Sequence, residues 1–229
     1  MKITIFLLCI PILLWAQAPQ GFQEFEWGTG PDEISATALG EGWENTETPL
    51  FPNTPEIEVF QRNQEIGGYT AVTNFYFYED QFFQATVHFD FSHLAEYDFN
   101  FNVFISVDEY YREIRTQTLT FVNDIYTLLK RRYGRRQPVF KGIDPRNMFA
   151  RTDNYISQER WNLRYNASEY YKRIITRGYA KWTYPETQII FSIDISAPDE
   201  RFDYLLSASS VALKKEIEDR VLDDRSLGL

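Results

Sequence analysis

Apolar positions along the chain recur at two different spacings, and the spacing separates strands from helices. Period-two alternation marks Glu56–Gln61, where Ile57 and Val59 alternate with acids, and the aromatic, β-branched runs Tyr69–Tyr78 and Phe82–Phe91. The polar Glu79-Asp80-Gln81 between the last two predicts a hairpin. Further along, Tyr179–Tyr184, Thr187–Ser196 and Arg201–Ser209 read as three more strands. Ala197-Pro198-Asp199-Glu200 supplies the turn between the final pair.

Helical spacing of three and four is clearest from Val107 to Tyr133, where Leu119, Val122, Ile125, Tyr126 and Leu129 share one face. Ser106 or Asp108 is the expected cap and Gly134 the expected stop. Acids Asp108, Glu109 and Glu113 sit at the start and Lys130, Arg131 and Arg132 at the end, as the helix dipole favours. A short helix is predicted from Pro31, with Gly30 as N-cap, to Gly40, and another from Ser168 to Arg177, stopped by Gly178. Leu213, Ile217 and Val221 mark a terminal amphipathic helix over Ser210–Asp224. Glu41–Pro55 and Arg135–Ser157 read as irregular, while Ser92–Asn102 either continues a strand or docks over the sheet as a loop. This order predicts an α+β fold, an antiparallel sheet with helices packed on one face, and it leaves open two similar halves as an alternative to a single undivided layout.

The first apolar run is different in kind. Ile3–Trp15 follows Lys2 and precedes the small-x-small site Ala16-Gln17-Ala18, so residues 1–18 read as a signal peptide. Its thirteen residues fall short of the about 20 that span a bilayer. Residues 19–229 are expected to form one α+β domain, periplasmic or secreted, with no transmembrane anchor after processing. The single cysteine, Cys9, lies inside the apolar run, preceded by Leu8 where lipid attachment needs a small residue. The mature chain is therefore expected to be free of cysteine and lipid, and to be held by burial alone.

Trp27-Gly28 followed by Pro31-Asp32-Glu33-Ile34 resembles the W-G-x-S-x-E-E-V opening of a group of small bacterial exported proteins. In that group a Y-x-F strand hairpin comes next, then a helix ending in Y-G-x-P. Tyr76-Tyr78 with Phe75-Phe77, and Tyr133-Gly134, occupy the corresponding places; Pro138 comes later than the pattern, and Gly30 replaces the serine. The group's layout is similar to the helix-on-sheet sandwich of β-lactamase-inhibitor proteins and small outer-membrane assembly lipoproteins. The resemblance implies a binding or scaffolding module of the periplasm and transfers no catalytic residue.

Charge sharpens this picture. The net charge of −10 conceals fifteen acids against one base, Arg62, between residues 19 and 104, and fourteen bases against four acids between 130 and 181. Either the two segments fold against each other or the basic one meets an anionic partner. The densest bases are Lys130, Arg131, Arg132, Arg135 and Arg136. The helix dipole accounts for the first three, whereas Arg135 and Arg136 lie past the stop. These five are the candidate binding residues for an anionic ligand or an envelope protein. The export signal and the acidic whole argue against nucleic acid.

Catalytic chemistry has little footing. No G-x-S-x-G elbow or mature cysteine is present, and no cofactor motif appears. His88-x-Asp90, with His93 beyond it, has divalent-metal potential, but the same pattern suits the solvent side of an amphipathic strand. Trp43, Trp161 and Trp182 either stack on sugars or fill the core. The expectation is an exported binding or scaffolding protein rather than an enzyme, with no catalytic, metal or cofactor residue assigned. The alternative is a carboxylate- or metal-dependent envelope hydrolase. N-terminal sequencing of the protein recovered from the envelope is expected to begin at or near Pro19. An intact Met1 in the membrane fraction would make the first segment an anchor.

Overall fold

A computed structural model describes residues 20–38, 44–45, 57–95, 104–134, 136–163 and 167–227. The signal segment, most of the Glu41–Pro55 loop and residues 96–103 lie outside the described residues. The strands are β1 (Gly21–Phe22), β2 (Phe25–Glu26), β3 (Glu44–Asn45), β4 (Ile57–Ile66), β5 (Tyr69–Tyr78), β6 (Gln81–Phe89), β7 (Val139–Lys141), β8 (Ile175–Thr183), β9 (Thr187–Ser196) and β10 (Arg201–Ser210). The helices are α1 (Pro31–Ala38), α2 (Phe104–Tyr133), α3 (Ala150–Leu163), α4 (Ala167–Tyr171) and α5 (Val211–Leu227). The α+β class is thus what the chain adopts. β1 and β2 form a small hairpin, and the other strands form an antiparallel sheet in the order β3-β4-β5-β6-β10-β9-β8-β7. Two meanders, β4-β5-β6 and β8-β9-β10, meet where β6 pairs with β10.

Turn chemistry sets the registers. β4 and β5 join through Gly67-Gly68, both at positive φ, the two-residue geometry that matches strand twist. Glu79 and Asp80 also take positive φ between β5 and β6, which places the turn one residue earlier than the polar triplet suggests. A bulge between Tyr76 and Phe77 shifts the pairing to β6.

α2 covers one face of the sheet with the predicted stripe: Val122, Ile125 and Leu129 are buried, and Leu119 and Tyr126 pack half-buried beside them. The helix begins at Phe104, so neither Ser106 nor Asp108 caps it. Asp108 instead pairs with Arg112 at 2.5 Å and accepts the Tyr170 hydroxyl at 3.3 Å. At the far end Gly134 takes φ 83°, as a terminating glycine does, and the Tyr184 hydroxyl donates to the Tyr133 carbonyl.

The opposite face carries a second, smaller cluster. Phe75 and Phe77 point into the main core while Tyr76 between them joins Ile57, Val59 and Phe83 under Ile217 of α5. The expectation of helices on one face therefore fails for α5, whose N-terminus is capped by Ser210. A stripe of three residues, Leu213, Ile217 and Val221, was too short to say which face it would meet.

The predicted helix over Ser168–Arg177 is the five-residue α4, and β8 starts at Ile175. Gly178 is not a helix stop but a strand residue. A Cβ there would fall 2.1 Å from the Lys141 carbonyl oxygen, and one on Gly142 would fall 2.3 Å from that of Arg177. The paired glycines let β7 close on β8. The supposedly irregular Arg135–Ser157 contains β7 and the first half of α3, hidden because α3 shows few apolar positions beyond Tyr155 and Ile156.

Leu129→Ala is expected to cost about 2–5 kcal/mol in chemical denaturation, as buried leucines do, and the exposed Thr120→Ala no more than about 0.5 kcal/mol. Equal effects would refute the assigned helix face. Gly178→Ala should destabilise by about 1–3 kcal/mol, as overpacked sites do, and raise amide exchange in β7. An unchanged melting temperature would remove the close approach as the reason for glycine.

Candidate functional site

The basic cluster straddles the end of α2. Lys130, Arg131 and Arg132 form its last, exposed turn, and Tyr133 turns inward, 9% exposed. Arg135 lies outside the described residues. The Arg136 guanidinium sits 5.4 Å from the Tyr184 ring centroid, a cation–π contact that accounts for one of the two bases past the helix stop.

Arg131 and Arg132 line a cavity of about 620 Å³; Lys130 and Arg136 do not. That volume lies within the range of small-molecule sites. Its floor is the gap between the C-terminal turns of α2 and the sheet, with Ile125 and Leu129 on one side and Leu206 of β10 on the other. Phe22 of the β1–β2 hairpin closes one end, its ring 6.4 Å from that of Phe75. Gly67 and Leu128 pack at another wall, where a Cβ on Gly67 would come within 2.6 Å of Leu128 Cδ1. An apolar floor thus opens onto a polar rim of Arg62, Arg131, Arg132, Glu24 and Glu65.

The hairpin wall is fixed from three directions. The Trp27 indole donates to Thr187 Oγ1 at 2.7 Å, the Gly28 amide to the Phe82 carbonyl at 2.8 Å, and the Phe82 amide to the Thr29 carbonyl at 3.0 Å. The Trp27-Gly28 motif is therefore a strap joining hairpin to sheet. Within the cavity wall the Gln64 amide donates to Thr73 Oγ1 and Gln23 Nε2 reaches Gln64 Oε1. Burial pushes the Tyr133 phenol above its ordinary pKa, and the adjacent Arg132 cation opposes that shift.

Glu24 and Glu65 both stand exposed at the rim.

His88, Asp90 and His93 have three separate settings. His88 lies on the face of β6 opposite Leu205; partial desolvation lowers its pKa, against the opposing charge of Asp203. Asp90 accepts the Ser92 amide at 2.9 Å, which holds its carboxyl below the ordinary range. His93 Nε2 lies 2.8 Å from Gln117 Oε1 on α2. Among the described residues no three His, Cys, Asp or Glu side chains form a metal-holding group. Trp182 is buried, its ring edge-on to Tyr126 at 5.5 Å.

Among the described residues the ion pairs of the basic segment run to Asp144 and Glu169 inside it and to Asp194 and Asp199 in and after β9. Sequence reasoning found Arg131 and Arg132 but missed the rest of the cavity, whose walls come from stretches far apart in the chain. One signal was available: Arg62, the lone base of the acidic segment, lines the same rim.

Among the described residues no helix is long and apolar enough to cross a membrane. Comparison of the chain with protein-family models, with curated proteins and with solved structures returns no match.

Proposed function

We propose that this is an exported binding module for an amphiphilic anion, seated in the cavity beside the end of α2. The carrying observation is that one cavity joins an apolar floor to a rim bearing Arg131 and Arg132. An apolar body gains by leaving water for that floor, about 25 cal/mol for each Å² buried. Its anionic head meets guanidinium groups, which bind carboxylate and phosphate through paired N–H donors. The leader-like pattern of the first eighteen residues supports a periplasmic or secreted location, where lipids and acylated envelope molecules are at hand.

The topology supports reading the fold as two similar halves, each a helix ahead of a three-stranded meander: α1 with β4–β6, and α4 with β8–β10. In that reading α2 links the halves and its C-terminal end overhangs the first, which is where the cavity opens.

Displacement of a fluorescent dansyl-undecanoate by palmitate tests the binding reading. Arg131→Glu combined with Arg132→Glu is expected to weaken palmitate binding at least about tenfold. The melting temperature should barely change, because exposed charges contribute only about 0–1 kcal/mol. Wild-type affinity in the double variant, or no binding by the wild-type protein, would sink the reading. Turnover of p-nitrophenyl palmitate that is lost in Glu24→Gln or Glu65→Gln would replace it with the hydrolase.

A further inference from the structure

We infer a second binding site, separate from the first: an oxyanion site for a phosphate group, between α3 and the turn that leads into β8. A cavity of about 440 Å³ lies there, walled by Arg151, Thr152, Asn154, Tyr155 and Gln158 of α3 on one side and by Lys172, Arg173 and Ile175 on the other. Among the described residues three cations line it and no carboxylate does, although Glu169, outside the lining, pairs with Lys172 and feels the charge of Arg173. In a chain with 33 acids against 23 Lys and Arg, an acid-free wall around three bases is a specific departure from the surface at large.

The cations are placed rather than scattered. Arg173 is held by its backbone: its amide donates to the Tyr170 carbonyl at 2.9 Å, and its carbonyl accepts the Ile175 amide at 2.9 Å and the Thr152 hydroxyl at 3.5 Å. Its guanidinium lies 4.9 Å from the Tyr155 ring centroid, a cation–π contact that helps to hold the side chain at the cavity. Among the described residues neither Arg151 nor Arg173 makes an ion pair, although the Arg173 cation helps to hold the Glu169 carboxyl below its ordinary pKa. Lys172 pairs with Glu169 at 2.7 Å, but both are substantially exposed, so an incoming dianion competes for it at little cost.

Two guanidinium forks and an ammonium around one space suit a group with several charged oxygens in a tetrahedral array. The Asn154 and Gln158 amides, one helical turn apart on the same wall, offer donors and acceptors for neighbouring hydroxyls. Ile175, 44% exposed, supplies an apolar contact at the edge for the rest of the molecule. The shared ligand chemistry is a phosphate monoester or diester, whether carried by a soluble molecule or by a lipid headgroup.

Titration of the ¹⁵N-labelled protein with inorganic phosphate is expected to give saturable amide shifts at Thr152, Tyr155, Arg173 and Ile174. Arg151→Gln and Arg173→Gln should each weaken that binding about tenfold or more, the loss expected for a hydrogen bond to a charged group. Lys141→Gln, which removes an equal charge elsewhere, should not. Flotation with vesicles of phosphatidylglycerol in phosphatidylcholine separates the two sources. Retention that depends on Arg151 and Arg173 assigns the site to the headgroup, and binding of phosphate without retention assigns it to soluble esters. Absence of saturable shifts in the wild-type protein overturns the proposal without reliance on any variant. Wild-type phosphate affinity in both arginine variants overturns it as well.

Discussion

Phe121 sits where the two meanders of the sheet meet, and the packing around its ring is what the rest of the structure depends on. Its centroid lies 4.8 Å from that of Phe89 on β6, 5.3 Å from Tyr204 on β10 and 5.8 Å from Phe191 on β9. Tyr69 and Phe91 complete the surround at 4.7 and 4.9 Å. Edge-to-face contacts of this kind add about 0.5–1.5 kcal/mol each beyond simple burial. One turn earlier on α2, Thr118 and the Tyr204 hydroxyl share a buried hydrogen bond of 2.6 Å, so the seam is pinned by direction as well as by area. Without disulfides to hold it, the sheet relies on this helix to keep β6 and β10 together.

Placement of the cavity follows from that seam. Because Phe121 fixes the middle of α2, the last three turns bring Ile125 and Leu129 to the cavity beside Leu206 of β10 and the end of β4, and finish in Lys130, Arg131 and Arg132. Apolar floor and cationic rim are consecutive parts of one helix. The side chains that suit a core and those that suit a helix C-terminus are brought within a few ångströms of a common space by nothing more than helical pitch.

Much of the fold was legible because its strands are amphipathic. Ile189, Phe191, Ile193 and Ile195 alternate with half-exposed neighbours throughout β9, and such a pattern admits one reading. The long helix was equally plain. What escaped were features whose cause lies outside the local sequence. Gly178 looks like a helix stop until Gly142 is seen against it; α3 has too little apolar periodicity to be recognised; and α5 chose the second face because Val59, Tyr76 and Phe83 had left it uncovered. Of the candidate site, the arginines could be named from their density. Phe22, Arg62 and Leu206 could not, since no pattern within a segment reveals what it will stand beside.

Trp27 reaches Thr187 across 160 positions of chain. During synthesis the indole is made long before its acceptor, and the contact waits until the ninth strand has joined the sheet. The hairpin carrying Phe22 is held to Phe82 by the Gly28 and Thr29 backbone, and gains its last anchor at that moment. Closure of the cavity is thereby tied to completion: a chain cut short before β9 lacks both the Thr187 anchor for Trp27 and Leu206 of β10.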